Sequence, residues 1–154
     1  MMIKKLNTSN KSVAAEVLEI QILAYKVEAD LIGFDGIPQL NDKLESIIES
    51  KETFIGYYYK EELAGFISFV LEGSELTICR LVVNPNYFRK GIGYKLVDDV
   101  LTKFPCVNRI TVSTGSKNLP AVTLYERFGF LMYKEVEVAP TIYISLFEKR
   151  RTQA

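Results

Sequence analysis

Two glycines, Gly91 and Gly93, follow Arg89 and Lys90 and open a stretch in which Ile92, Leu96, Val97, Val100, Leu101 and Phe104 fall at helical spacing. Such a loop suits an anionic phosphate group. Glycine admits backbone angles that bring consecutive N–H groups together, and a helix N-terminus adds about half a positive charge. The pattern is neither of two familiar phosphate loops. No G-x-x-x-x-G-K-[ST] occurs, and a dinucleotide fingerprint would need a third glycine where Leu96 stands. A second candidate is Tyr125, which lies with Ala121, Leu124 and Phe128 on one helical stripe behind Asn118 and Pro120. An aromatic residue at that spacing can be core or can present a hydroxyl to a reacting group.

The composition limits what else can take part. The 154 residues include no histidine, which excludes a His-containing triad, an imidazole base and His-ligated metal. Cys79 and Cys106 are too few for a thiolate site, and both are expected to pack as small apolar residues; no metal is expected. Nineteen basic against nineteen acidic residues give no net charge, so neither nucleic acid nor an anionic membrane is favoured as a partner. The basic triplet Lys149, Arg150 and Arg151 is the one feature pointing to nucleic acid. No leader and no run of about 18 uncharged apolar residues is evident, so the expected location is the cytoplasm.

The elements that must position these residues read as one α/β domain over residues 1–148, with 149–154 a frayed tail. Residues 2–6 suggest a strand, and a helix begins at Ser12 and gives way to a loop at Gly33, Asp35, Gly36 and Pro38. A short helix follows through Leu44, Ile47 and Ile48. Thr53–Tyr59 and Leu63–Leu71 read as a hairpin, and Leu76–Val83 as a third long strand. In that strand the apolar parity switches near Cys79 and Arg80, so it is either buried on both faces or bulged. A helix ending before Pro105, a strand from Arg109 to Thr114, the Asn118 helix ending at Gly129, and a hairpin around Ala139 and Pro140 complete the order. That order implies a mixed central sheet of about seven strands with helices on its faces, and the Arg109 strand should run parallel to the third.

The runs CRLVVNPNYFRKGIGYKLVDDVL and NLPAVTLYERFGF together resemble the two best-preserved motifs of the GNAT superfamily of acyl-CoA N-acyltransferases. The resemblance extends over nearly the whole chain, with residues 76–130 carrying its specificity. It departs from the family pattern at Phe88, where Gln or Arg is usual. It implies a bulge in the third strand, which splays from its parallel neighbour, and an acetyl-CoA-dependent transfer of an acetyl group to a primary amine by direct attack. The main chains of Leu81, Val82 and Val83 would pair with the pantetheine arm, and Arg89, Lys90, Gly91, Ile92, Gly93 and Tyr94 would hold the pyrophosphate. Asn118, Ala121 and Tyr125 would complete the acetyl-CoA contacts. Val83 or its neighbour would polarise the thioester carbonyl through its N–H, and Tyr125 would protonate the leaving thiolate. Asn118 either caps its helix or also bonds the pantetheine amides. The acceptor, a small-molecule or peptide amine, would meet Tyr25, Glu28, Asp30 and Asp35. No base is evident: the bulged strand offers Thr77, Cys79 and Arg80, and Glu75 sits at its start. A non-catalytic acyl-CoA-binding module is the competing reading, and the sequence leaves monomer or homodimer open.

Overall fold

A computed structural model describes residues 2–151. The chain begins with β1 (Met2–Lys5) and the long helix α1 (Lys11–Ile32), followed by the short α2 (Leu44–Ile48). Asn10 starts α1 by accepting from the Ser12 and Val13 N–H groups, and Gly33 ends it in the left-handed region at φ 69°. Next come β2 (Thr53–Tyr59), β3 (Glu62–Glu72) and β4 (Glu75–Val83), then α3 (Ile92–Lys103), β5 (Arg109–Gly115) and α4 (Leu119–Arg127). A hairpin of β6 (Leu131–Ala139) and β7 (Ile142–Arg150) closes the chain. Two 3-10 turns, Pro38–Asn41 and Pro85–Tyr87, interrupt segments that the sequence pattern reads as loop.

The seven strands form one sheet in the order β1-β2-β3-β4-β5-β7-β6, with β4 and β5 as its parallel pair. Helices cover both faces. One face carries a core of Leu96, Val97 and Val100 from α3 and Tyr125 from α4 against Ile67, Phe69 and Ile78; the other buries Val17, Ile20 and Tyr25 of α1 against Phe54, Phe66 and Val82. β3 is buried on both sides, which accounts for an apolar run broken only by the buried Ser68.

The parity switch in β4 is a bulge. Arg80 lies opposite Ser68 and Ile78 opposite Phe69, so Cys79 is the extra residue. The insertion keeps Leu76, Ile78, Leu81 and Val83 on the α3 side and sends Arg80 and Val82 toward α1.

Two expectations need correction. The chain does not fray at Lys149, because β7 runs to Arg150. Lys149 Nζ donates to the Phe128 carbonyl at 2.7 Å. Arg151 donates to the Leu101 and Val107 carbonyls, each at 3.0 Å, and to Phe104 O. A guanidinium thus satisfies carbonyls left over where α3 ends. Residues 152–154 of the expected tail lie outside the described residues. Cys106 is exposed rather than packed, since it falls in the turn between α3 and β5; Cys79 is half-buried.

Candidate active site

β4 and β5 pair only from Glu75 to Thr77 against Arg109 to Thr111, and beyond that point they part. The edge of β4 that β5 would have occupied is therefore open. Asn84 N donates to Ala64 O on β3 at 2.8 Å, and alternate residues of a strand turn their backbone groups to opposite edges. Val82 consequently faces β3, its Phe66 partner, whereas Leu81 and Val83 present N–H and C=O to the wedge. Two of the three main chains assigned to pantetheine are so directed, and Val82 is committed to the sheet.

At the upper end of this edge, α3 begins at Gly91, in the left-handed region at φ 76°, without a side-chain cap. The first backbone bond inside α3 is Lys95 N to Gly91 O at 3.1 Å, so the N–H groups of Ile92, Gly93 and Tyr94 precede the helical ladder. Arg89 also has a positive φ, 64°, which turns the loop sharply onto the helix. A Cβ on Gly91 would meet no protein atom within 4 Å, and one on Gly93 would lie 3.4 Å from Leu124 of α4 and 3.9 Å from Leu81 and Val83. Open space therefore lies beside Gly91 at the helix start, whereas Gly93 packs closely on α4 and β4. Arg89 and Lys90 are exposed beside it, as is Phe88. Tyr94 stacks on Phe128 at 4.5 Å between ring centres, with the Arg127 guanidinium 5.1 Å from the Tyr94 centre, which ties α3 to α4.

The wedge opens into a cavity of about 440 Å³. Its walls are Tyr25, Glu28 and Ile32 of α1, residues 34 and 36–39, Ile78 to Leu81 of β4 and Val112 to Gly115 of β5. Asn118, Ala121 and Tyr125 come from α4 or its cap, and Val138, Ile142 and Ile144 from the last hairpin. Tyr125 is buried, 3% exposed, and packs against Phe130 and Phe147. It belongs both to the core and to the cavity wall. Burial, reinforced by the negative charge of Glu28, pushes its phenol well above the ordinary tyrosine range and keeps it protonated. Tyr25 is raised in the same way by burial and then by Glu28.

Asn118 does more than cap. Its Oδ1 accepts from Ala121 N at 3.3 Å, and its Nδ2 donates to Glu28 Oε1 at 3.0 Å and to Thr114 Oγ1 at 3.3 Å. Both Nδ2 hydrogens are thereby engaged, joining α1, β5 and α4 across the cavity. Burial raises the Glu28 carboxyl above the usual range, and the Asn118 bond offsets this only in part.

Of the four acceptor-side residues read from the sequence, Tyr25 and Glu28 line the cavity. Asp30 and Asp35 are exposed outside its lining. The helical period explains the first split: Gln21, Tyr25, Glu28 and Ile32 recur at 4, 3 and 4 residues on the inward stripe, and Asp30 falls between them on the solvent side.

A charged cluster behind the bulge is all but hidden in the sequence. Arg80 Nε and Nη2 donate to Glu52 Oε1 and Oε2 at 3.0 and 3.1 Å, and Nη1 donates to Asp42 Oδ2 at 2.7 Å and Gln21 Oε1 at 2.9 Å. Ser68 Oγ donates to Glu52 Oε1 at 2.6 Å, and Gln21 Nε2 donates to Asp42 Oδ2 and to the Gln39 carbonyl. Burial alone would raise Glu52, but hydrogen bonds from Arg80 and Ser68 outweigh it and hold the carboxyl low. The cluster fixes the loop after α1 against the bulge. Ser68, a polar residue inside the run FISFV opposite Arg80, is the one signal of it in the sequence.

Known proteins resemble the chain in both sequence and fold. Residues 16–130 match the family described as "Acetyltransferase (GNAT) family". The "UPF0157 protein YqkA" of Bacillus subtilis is 42% identical over 146 residues, 95% of this chain and 43% of that protein. The "Spermine/spermidine N(1)-acetyltransferase" of the same species is 28% identical over 95 residues, 54% of this chain and 62% of that protein. The chain thus spans less than two thirds of either relative. Among solved structures, the ribosomal-protein-S18-alanine N-acetyltransferase from Escherichia coli has a TM-score of 0.80 at 16% identity, covering 99% of this chain and 95% of its own, a likeness of fold. With the splayed parallel pair, the bulged β4 and the glycine-led α3 in place, the family match over most of the chain settles membership: this chain belongs to the acetyltransferase (GNAT) family.

Proposed function

We propose that the chain is an N-acetyltransferase that moves an acetyl group from acetyl-CoA to a primary amine by direct attack in a ternary complex. The observation that carries this reading is the parting of β4 and β5, which leaves an unpaired main-chain edge leading from an uncapped helix start to a cavity holding Tyr125.

Acetyl-CoA takes part as a second substrate, the acyl donor. Its pyrophosphate fits the N–H groups of Ile92, Gly93 and Tyr94, with Arg89 and Lys90 adding charge and Gly91 leaving the space. Its pantetheine arm is an extended chain with amide groups, suited to the open backbone of Leu81 and Val83, with Ala121 on the opposite wall. In this reading an N–H of the open β4 edge, that of Val83 or of Leu81 nearer the cavity, takes the thioester oxygen, where negative charge grows as the carbonyl carbon becomes tetrahedral. Tyr125, kept protonated by burial, gives its proton to the departing sulfur. The amine enters from the α1 side against Tyr25 and Glu28.

The reading is tested by following thiol release from acetyl-CoA with 2-phenylethylamine, spermidine and an alanine-led tetrapeptide, together with calorimetry for acetyl-CoA. Amine-dependent thiol release with formation of the acetylamide is the expected result. Tight acetyl-CoA binding without turnover on any amine would favour the binding-module reading instead.

A further inference from the structure

An acetyl transfer of this kind needs an acceptor for the ammonium proton, and β4 does not supply one. Thr77 and Cys79 are not bases at neutral pH, the Cys79 thiol being pushed up to about 11 by burial and then by the charge of Glu52. Asp42 and Glu52 are both spent on Arg80. Glu75 lies at the strand start, largely exposed, and faces Arg109 at 3.6 Å. Among the described residues lining the cavity, Glu28 is the one carboxylate.

We propose that Glu28 is the catalytic residue that takes the proton from the incoming ammonium, and that the side-chain amide of Asn118 positions it. The proposal rests on the N-acetyltransferase reading above. Glu28 occupies the inward stripe of α1, one turn beyond Tyr25, and shares the cavity with Tyr125. Asn118 Nδ2 engages Oε1 at 3.0 Å, which leaves Oε2 for the amine. The other titratable groups on the same walls are Tyr25 from α1, Cys79 and Arg80 from β4, and Tyr125 from α4. Tyr25 and Tyr125 are held protonated, and Arg80 is neutralised by its two carboxylates. A carboxyl raised toward neutrality is also the better matched base.

Glu28 accepts one proton from the ammonium, giving a neutral amine. The nitrogen lone pair forms a bond to the thioester carbon while the carbonyl pair moves to oxygen. The C–S bond then breaks as the carbonyl re-forms. The sulfur receives the Tyr125 proton, and the second nitrogen proton returns to the phenolate. One amide and one thiol result, and the proton on Glu28 leaves to solvent.

The test is Glu28→Gln, which keeps the shape and an oxygen for the Asn118 bond. Thiol release is measured from pH 6 to 10 with the best of the three amines named above, with acetyl-CoA affinity measured alongside. Affinity should hold while kcat/KM at pH 7 falls by about 100-fold or more. The variant's rate should then climb about tenfold per pH unit, because only amine already neutral can react. Glu28→Asp should keep the wild-type form of the pH profile at a lower rate. Asn118→Ala should move the ascending limb to higher pH, since the bond it removes favours the charged carboxylate. A Glu28→Gln variant whose pH profile parallels wild type, with only KM raised or nothing changed, overturns the proposal and leaves the acetyltransferase reading intact. Wild-type protein that releases no thiol with any of the three amines overturns both.

Discussion

The two walls of the wedge are built from different materials. The side proposed for acetyl-CoA is main chain: an open strand edge at Leu81 and Val83 and the first N–H groups of α3, with Gly91 leaving open space. The side proposed for the acceptor is side chain: Tyr25 and Glu28 from α1, with Glu28 braced by Asn118, and a loop pinned to the bulge by Arg80, Asp42, Glu52 and Gln21. A backbone site is encoded locally, by a few residues that relieve steric limits. A side-chain site is assembled from segments up to 90 positions apart, as Glu28 and Asn118 are. The first kind tolerates change in most neighbouring side chains; the second fails when any member is lost.

The largest effect is expected where the two walls meet. Tyr125→Phe removes one hydroxyl from a buried ring whose packing against Phe130 and Phe147 is unaltered. Single-turnover acetyl transfer should fall by about 100- to 10,000-fold, with acetyl-CoA affinity nearly unchanged. A folded variant at full rate would return Tyr125 to the core alone.

Breaking the acceptor-side brace comes next. Arg80→Met leaves Asp42 and Glu52 without their shared cation in a mostly buried setting, a loss of about 3 kcal/mol in denaturant unfolding at neutral pH. The pH dependence carries a sign. The folded state holds Glu52 below its usual value, so its contribution is present above the unfolded pKa near about 4.3 and is lost as pH falls through the lower folded value. Wild type should lose stability across that acid window, and Arg80→Met should lose less there because its Glu52 is no longer held low. Equal acid dependence in the two would show that the cluster is ornamental.

On the backbone side, Gly91→Val places a β-branched residue at φ 76°, costing about 1–2 kcal/mol of stability in strain. Its Cβ enters space that no protein atom fills, so the acetyl-CoA contact should suffer beyond the strain, by about tenfold or more in calorimetric affinity. Gly91→Ala separates the two causes, since it carries most of the steric block at less conformational cost.

The same contrast decides what is legible in the sequence. The aromatic and β-branched run of β2 bounds that strand to the residue, while the switch of apolar parity at Cys79 and Arg80 leaves two-sided burial or a bulge open, and the register shows the bulge. The Asn118 cap follows from Asn before Pro120. The Arg80 cluster does not follow from anything local, because Gln21, Asp42, Glu52 and Ser68 come from four other segments and each alone could as well face water. The fate of Lys149 and Arg151 is hidden for the same reason: terminal basic residues look solvated until the carbonyls they cover are known.

The smallest effect tests where the acceptor wall ends. Asp30 and Asp35 stand close to Tyr25 and Glu28 in sequence, yet both are exposed and neither lines the cavity. An exposed carboxylate acts on a cationic amine through water and salt, within a screening length of about 8 Å at physiological ionic strength. Asp30→Asn and Asp35→Asn should therefore change stability by less than about 0.5 kcal/mol and leave KM for a cationic amine acceptor within about twofold at that salt. Measurements at low salt sharpen the test, because any weak steering by these charges would appear there and vanish as salt is added. A salt-resistant rise in KM for either variant would mean that the carboxylate touches the amine directly. The acceptor wall would then extend past Glu28 into the loop after α1, and the split imposed by the helical stripe would not mark its edge.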